Sequence, residues 1–333
     1  MRTMTALEYS YIIQNELSQI VGKHFDKIYD AGENKFRIKI GADITCEVGV
    51  RINLSKYIEK TDELGGFSKK IRKELHGSKL LKIYQYNSDR VIVFEFTKGN
   101  LVFEMFGKGN IVLYREGIVI AALKNESWSD REIRAKKEYK FPKTKTVEKL
   151  PDKLPEKYII SVLMTLPLGK PYALEILSKC GIEEKKQSNE LSKKERNCVV
   201  NEIEKIKGTL TPYGFYDGEN LVDYGLVKFR DEFKQFNTLS EVIDDYYQQE
   251  RKAESPGLEK LDRRLQKQYE SLERMKKEEE EKKKIAEYMK ENYEKFEELL
   301  NAAKKAGINN VESLLKNYKV KVNKEKKEIE IEI

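Results

Sequence analysis

The chain has 333 residues and a net charge of +7, with 36 % charged and 39 % hydrophobic residues. No stretch approaches the roughly 20 apolar residues that span a bilayer, so the sequence excludes a helical membrane protein. The length predicts two or three structural units, at least one of them a solvated, charge-rich element.

The amino terminus and the cysteines indicate the compartment. The first residues lack the uninterrupted apolar core of a signal peptide. Cys46, Cys180 and Cys198 are odd in number and far apart, which predicts no structural disulfide and a reducing, cytoplasmic environment. His24 and His76 are the only histidines, so we expect no zinc site, and nothing in the sequence calls for a cofactor.

The first half of the sequence has the pattern of a helix followed by strands. Thr5 and Glu8 have the spacing of a capping box, which predicts a helix start. Apolar residues alternate at 36–40, as in a strand, and a second helix is predicted at about 67–75. Further strands are predicted at 79–86, 90–97, 100–106, 111–114 and 118–123. We therefore expect an α+β fold in which an antiparallel, β-rich meander has a helix against it.

The second half is predicted to be mainly helical. A linker rich in proline and lysine leads to helices predicted at 158–165, 171–180 and 193–208. The turn Leu168, Gly169, Lys170 resembles a helix–hairpin–helix, whose backbone N–H groups meet a nucleic-acid phosphate, and simple helix packing explains it equally well. Short strands at 214–216 and 223–226 are expected to extend the earlier sheet.

Apolar residues recur at heptad spacing from Leu258 to Leu300, and this pattern predicts one continuous coiled-coil helix that ends near Gly307. A short helix at 311–318 and an alternating strand at 327–333, with no evident partner, follow it. Because an uncovered seam would leave large apolar side chains in water, we expect this chain to form a weak homodimer through the coiled coil.

The motifs that usually carry catalysis are missing. There is no GxxxxGK[ST] loop, no GxSxG and no evident carboxylate pair, so we expect no enzyme activity. Positive charge is concentrated at 67–82 and 124–145, which favours polyanion binding, although an ordinary solvated helix face explains it as well. The candidate phosphate-binding residues are Lys69, Arg72, Lys73, Lys108, Asn110, Lys136, Lys137 and Lys140.

Asp89 and Arg90 lie where one predicted strand ends and the next begins. A turn alone explains Asp89. Alternatively, the carboxylate orients the guanidinium as a fixed fork that binds a phosphate or a guanine edge through two hydrogen bonds. The segment 107–110, GKGN, is either a turn with positive φ or a backbone cradle for a phosphate.

Several short segments form a recognisable series when read in chain order. They are TALEYSYIIQNEL (5–17), DKIY (26–29), IRKEL (71–75), SDRV (88–91), FEMFGKGNIVL (103–113), WSDR (128–131) and YKFP (139–142). This series resembles the N-terminal half of the NEMF/RqcH family of ribosome quality-control factors, in its archaeal and eukaryotic form. The resemblance covers about residues 1–300.

The resemblance implies a fold similar to formamidopyrimidine-DNA glycosylase, called NFACT-N, without glycosylase activity. A helix–hairpin–helix insert and the first helix of a long antiparallel coiled coil are expected after it. The implied divisions are 1–148 (NFACT-N), 149–210 (helix–hairpin–helix), 211–248 (a return segment packing on NFACT-N), 249–306 (coiled-coil helix) and 307–333 (start of a middle region). The family continues further, so we expect this chain to be part of a longer protein.

The resemblance also implies a function. Such a factor binds obstructed large ribosomal subunits, through their RNA and proteins, while they carry peptidyl-tRNA. It recruits aminoacyl-tRNA, here expected to be alanyl-tRNA, so that the stalled chain is extended by alanines without a template. The peptide bonds form in the ribosome's own centre. The family's tRNA contacts map onto Asp89, Arg90 and Glu8, where Glu8 replaces the usual aspartate.

Two rival functions use the same features. A DNA-binding or repair protein could use the glycosylase-like fold, but a glycosylase needs an N-terminal nucleophile such as proline after Met1, and this chain has Arg2. A coiled-coil adaptor or a fibronectin-binding adhesin would explain the long helix. The absence of an export signal and the basic globular half argue against it.

Overall fold

A computed structural model describes residues 2–57, 64–306, 320–323 and 328–331 of the chain. The chain divides into two units, Met1–Ala253 and Glu254–Ile333. The predicted divisions at 148, 210 and 248 all fall within the first unit, and their boundaries stay predictions.

The first unit begins with helix α1 (Ala6–Asn15), and the predicted capping box at its start is confirmed. The Thr5 hydroxyl accepts the Glu8 N–H, and the Glu8 carboxylate accepts the Thr5 N–H at 2.8 Å. An antiparallel meander of four strands follows: β1 (Lys27–Asp30), β2 (Lys35–Lys39), β3 (Asp43–Glu47) and β4 (Arg51–Leu54). Helix α2 (Gly66–Leu75) leads to the next sheet and packs on β1.

The second sheet confirms the predicted meander of five strands. Its strands are β5 (Leu80–Gln85), β6 (Val91–Phe96), β7 (Gly99–Glu104), β8 (Asn110–Arg115) and β9 (Ile118–Ala122), each antiparallel to the one before. Helix α2 packs on β9 and helix α1 on β5, so helices do lie against this sheet.

Alternation along the strands gives this sheet two buried faces. Ile92 and Phe94 belong to the large core, which also contains Ile38 of the first sheet. Val91 and Val93 point the other way, into a smaller core. The smaller core is completed by residues from the chain after β9, which includes the short strands β10 (Glu126–Ser127) and β11 (Glu132–Ile133). That chain segment therefore covers the second face.

Three helices follow: α3 (Ile159–Leu163), α4 (Lys170–Cys180) and α5 (Lys193–Gly208). The prediction that the chain has no disulfide is wrong, because Cys180 and Cys198 are bonded to each other. Helices α4 and α5 pack together and bring the two Cα atoms to 5.8 Å, although 18 residues separate them in sequence. Cys46 is free and buried.

The short strands after α5 form a sheet of their own. Strand β12 (Tyr213–Asp217) pairs with both β13 (Asn220–Gly225) and β14 (Phe233–Gln235). The prediction that they extend the earlier sheet is therefore wrong, because β14 supplies the partner that the sequence pattern did not reveal. This third sheet and the helix after it both contribute apolar residues to the large core. They include Leu221 and Tyr224 from β13 and Leu239, Val242 and Ile243 from the helix.

The remaining elements that the structure describes are two helices and a hairpin. Helix α6 (Leu239–Glu291) and helix α7 (Tyr293–Ala306) meet at Asn292, so the predicted helix is long but interrupted. Described seam residues such as Met275 and Tyr293 are 63 % exposed, and the coiled coil stays a prediction. The terminal strand β16 (Glu328–Ile331) does have a partner, β15 (Val320–Asn323), which corrects the expectation of an unpaired strand. The predicted helix at 311–318 lies outside the described residues.

Candidate nucleic-acid interface

A tight turn joins β5 to β6 and carries the predicted Asp89–Arg90 pair. Residues Asn87 and Ser88 have φ angles of 49° and 52°, so two consecutive residues with side chains adopt the left-handed conformation. Such residues cost roughly 1–3 kcal/mol each and persist only where their surroundings enforce them. A backbone bond from Asp89 N–H to the Tyr86 carbonyl, at 3.0 Å, closes the turn. The pair thus follows a strained backbone.

The Asp89 carboxylate does not hold the Arg90 guanidinium. One oxygen accepts the backbone N–H of Arg90 at 2.7 Å, and the other accepts the Thr144 hydroxyl at 2.9 Å. Within the described residues, the Arg90 guanidinium has no hydrogen bond or ion pair, and the residue is partly buried. The predicted fork is therefore absent, and the turn interpretation accounts for Asp89.

Aromatic packing brings the chain around Thr144 to the turn. The Phe141 ring stacks on Tyr86, with centroids 3.9 Å apart and an interplanar angle of 11°. Tyr139 stacks in turn on Tyr114 of β8, at 4.9 Å. These contacts fix the course of the segment 134–145, which we call the basic segment, beside the Asp89–Arg90 turn.

The basic segment carries the predicted lysines, and all of them are exposed. Lys136 has a φ angle of 71° and no ion pair with the described residues, whereas Lys137 and Lys140 lie 3.5 Å from Glu132 and Glu138. Exposed pairs of this kind contribute little to stability. These lysines can therefore exchange their partners for phosphate groups at small cost.

A buried ion pair anchors the same segment, and sequence reasoning missed it. Both Arg131 Nη atoms donate to the Glu104 oxygens at 2.8 Å, and the Tyr139 hydroxyl donates to Glu104 at 2.9 Å. Burial raises the pKa of Tyr139, as does the Glu104 charge, so the hydroxyl stays a donor. Trp128 lies against the Arg131 guanidinium at 4.4 Å. The WSDR and YKFP segments therefore meet the FEMF segment at this network.

Helix α2 presents only two of its three predicted phosphate ligands. Lys69 and Lys73 are exposed and have no partner among the described residues. Arg72 instead donates its Nε–H to the Ile28 carbonyl at 2.7 Å and lies 4.6 Å from the Tyr29 ring centroid. The Nε–H hydrogen bond and the contact with Tyr29 attach α2 to β1, so Arg72 is a packing residue.

The GKGN turn is also mostly structural. Asn110 is 1 % exposed, and its amide donates to the Lys124 carbonyl and to Glu126. Its carbonyl oxygen accepts the N–H groups of Ile111 and Lys124. Asn110 is thus satisfied inside the protein and is not placed to bind phosphate, whereas Lys108 is exposed.

Glu8 lies in the interior and links the start of the chain to helix α4. Its carboxylate accepts hydrogen bonds from Arg2 Nη2 at 2.6 Å, from the Thr5 N–H, and from the Tyr172 hydroxyl of α4 at 2.8 Å. The side chain is completely buried. A direct contact with tRNA would require this network to open, so the structure does not place Glu8 on one surface with Arg90.

The predicted hairpin turn packs against the start of the chain. Leu168 is buried, and a Cβ added to Gly169 would lie 2.5 Å from Thr5 Cγ2. Lys170 is exposed. The close approach of Gly169 to Thr5 thus favours the packing interpretation of this turn.

In the part of the chain that the structure describes, no cluster of His, Cys, Asp or Glu residues is suited to hold a metal ion.

Comparisons with known proteins identify relatives along most of the chain. The archaeal Rqc2 homolog aRqcH of Methanocaldococcus jannaschii is 29 % identical over 341 residues, covering 88 % of this chain and 51 % of that protein. Ribosome quality control complex subunit 2 of Schizosaccharomyces pombe is 32 % identical over 95 residues, covering 27 % of this chain and 9 % of that protein. The chain thus spans about half the length, or less, of these curated relatives.

Two solved structures share the fold. The fibrinogen binding protein from Staphylococcus aureus has a TM-score of 0.59 at 15 % identity, over 73 % of this chain and 98 % of that one. The N-terminal part of the fibronectin/fibrinogen-binding protein from Streptococcus suis has a TM-score of 0.58 at 17 % identity, over 74 % and 99 %. These likenesses confirm the expected α+β fold, and at this level of identity they say nothing about function. The family model described as NFACT N-terminal and middle domains matches residues 10–333, and the chain therefore belongs to the NFACT family.

Proposed function

We propose that this chain is the RNA-binding part of a cytoplasmic ribosome quality-control factor. It binds large ribosomal subunits that are obstructed by peptidyl-tRNA and recruits aminoacyl-tRNA to them. The two curated relatives carry names of this function, and the family match extends over nearly the whole chain. The observation in the structure that carries the proposal is the Arg90 guanidinium, which has no hydrogen-bond or ion-pair partner among the described residues and follows a strained turn beside the basic segment.

The surface around this turn has the chemistry of an RNA contact. The exposed side chains of Lys136, Lys137 and Lys140 supply mobile positive charge, and Arg90 supplies a planar guanidinium that has no partner among the described residues. Phosphate contacts of the first kind give affinity that depends on salt, and an arginine of the second kind gives geometric selectivity. Lys69 and Lys73 on α2 add further exposed charge.

In this proposal the chain itself forms no peptide bond. The ribosome's own centre joins alanine from alanyl-tRNA to the stalled chain, and the protein positions the tRNA. The role of the protein is therefore binding and orientation.

A binding experiment with purified components tests the proposal. We expect the protein to cosediment with large subunits that carry peptidyl-tRNA and much less with vacant subunits. We also expect it to bind alanine tRNA more tightly than a DNA duplex of equal charge. Equal binding to both kinds of subunit, or tighter binding to the DNA duplex, would contradict the proposal and favour the DNA-binding alternative.

A further inference from the structure

We infer that Cys180 and Cys198 form a redox-responsive bridge, in which Cys198 exchanges with a small anionic thiol or disulfide and Cys180 closes or releases the bond. The bridge joins helix α4 to helix α5. The inference does not depend on the proposed function, because it concerns a bond within this pair of helices and uses no residue of the Asp89–Arg90 turn or the basic segment.

Helices α4 and α5 also pack together through apolar residues, so the disulfide is not their only connection. Ile176 and Leu177 from α4 and Val199 and Ile203 from α5 all belong to the large core. Such apolar contacts do not depend on the redox state of the cysteines. Reduction of the bond is therefore expected to lower the stability of the pair without unfolding it.

The two bridged cysteines are partly exposed, whereas the third cysteine is not. Cys46 is completely buried, and burial raises the pKa of its thiol, which keeps it protonated and unreactive. Cys198 lines an open groove on the surface of α5, so a small molecule in the solvent can reach it. Exposed disulfides are the labile ones, and in reducing compartments such bonds are usually transient or redox-sensing.

The groove beside Cys198 carries positive charge. Lys194 lies four positions before Cys198 in α5, on the same face of the helix, and Lys193 lines the same groove. Neither lysine has an ion-pair partner among the described residues, whereas Lys205 is paired with Glu202. Nearby positive charge stabilises a thiolate and attracts an anionic reagent. Cys198 is thus the reactive thiol of the reduced pair.

Cys180 has the opposite surroundings. It is the last residue of helix α4, where the negative end of the helix dipole disfavours a thiolate. The neighbouring Lys179 is paired with Glu175 at 3.3 Å, so its charge is compensated. Of the two sulfur atoms, Cys198 Sγ therefore forms the mixed disulfide with the small molecule, and Cys180 is the resolving thiol.

The exchange needs only a small thiol as co-reactant. A small thiolate attacks the Sγ atom of Cys198, the bond to Cys180 breaks, and its electron pair leaves on the Cys180 sulfur, which takes a proton. A second thiolate attacks the sulfur of the attached small molecule and releases a small-molecule disulfide together with the Cys198 thiolate. Two small thiols are thus oxidised while the protein disulfide is reduced to two thiols, and the reverse sequence closes the bridge.

Intact-mass spectrometry of the full chain in oxidised glutathione tests which sulfur reacts. Cys180→Ser, which leaves Cys198 unpaired, should gain one glutathione. Cys198→Ser should gain it roughly tenfold more slowly, as expected if the two thiol pKa values differ by about two units. Neither variant should gain a second glutathione, because Cys46 is buried.

Charge variants made in the Cys180→Ser chain test the groove. Lys194→Gln should slow the addition of glutathione about two- to threefold, the effect of one exposed charge, and should not slow the reaction with cystamine, a cationic disulfide. Lys69→Gln is the matched control, because Lys69 is an exposed lysine on α2 and should leave both rates unchanged.

The parent chain tests the bridge itself. Reduced glutathione should make two thiols available for alkylation and lower the melting temperature by about 6–12 °C, as expected for a closed loop of this length. The variant with serine at both positions should melt like the reduced parent chain and respond to neither form of glutathione.

Three results would overturn the inference. Faster glutathione addition to Cys198→Ser than to Cys180→Ser would reverse the roles of the two cysteines. Equal effects of Lys194→Gln on the anionic and the cationic disulfide would show that the groove does not select the reagent by charge. A bridge that resists reduced glutathione in the folded chain, or that does not form in oxidised glutathione, would not be redox-responsive. None of these results bears on RNA binding, so the proposed function is tested separately.

Discussion

The buried pair of Arg131 and Glu104 offers a sharp test of how the basic segment is held. Replacing Arg131 with methionine keeps the length of the side chain and removes two hydrogen bonds of 2.8 Å to Glu104 and one of 3.3 Å to the Lys140 carbonyl. Glu104, which is 2 % exposed, would keep only the bond from Tyr139. Breaking a buried ion pair by removing one partner costs about 3–5 kcal/mol, because the other charge stays buried. For a unit of this size, that loss lowers the melting temperature by about 6–20 °C.

Thermal unfolding followed by circular dichroism measures the effect. Arg134→Met is the matched control, because Arg134 is exposed on the same segment and should change the melting temperature very little. Adding Glu104→Leu to Arg131→Met should recover part of the loss, since no uncompensated charge would remain. A destabilisation by Arg131→Met no larger than that of Arg134→Met would refute the reasoning.

Three further predictions concern other elements. Gly169→Ala should lower the melting temperature, because Gly169 has a φ of 105° and its new Cβ would meet Thr5 Cγ2 at 2.5 Å; unchanged stability would show that the hairpin is free to move. The Lys186 ammonium and the N-cap of α5 lower the pKa of Glu195 to about 2, so its stabilisation is complete above its ordinary pKa and disappears as pH falls through about 2. Glu195→Gln should therefore destabilise the chain at neutral pH and match it near pH 2, whereas an equal difference at both pH values would contradict this. Sedimentation velocity over a wide concentration range should reveal weak self-association through the exposed apolar residues of α6 and α7; a strict monomer would show that this face needs no partner.

The parts of the fold that the sequence predicts well are those with local signals. The five-stranded meander follows from alternating residues and tight turns, and α1 follows from Thr5 and Glu8, three positions apart. The disulfide was missed because Cys180 and Cys198 meet only through the packing of α4 on α5. The third sheet was missed for a similar reason. Its strand β14 is only three residues long, too short to show alternation, and it pairs with β12 across a long connection.

The candidate site depends even more on contacts between residues that are distant in sequence, which local patterns do not predict. Motif similarity pointed to Asp89 and Arg90, and the structure places them at one strained turn. The hydroxyl that holds Asp89 comes from Thr144, 55 residues away, and no periodic pattern marks it. Burial could not be predicted either: Asn110 belongs to the polar turn GKGN, yet its side chain points inward. Charge along a sequence indicates that a polyanion surface exists, but packing decides which side chains form it.

The most direct test of the central claim is to identify the RNA that this protein contacts in cells. Ultraviolet cross-linking of the full-length protein, followed by sequencing of the attached RNA, should recover tRNA together with RNA of the large ribosomal subunit. The double variant Asp89→Ala and Arg90→Ala should lose the tRNA fraction and keep the ribosomal fraction. Recovery of neither RNA, or a tRNA fraction unchanged in a folded double variant, would contradict the account.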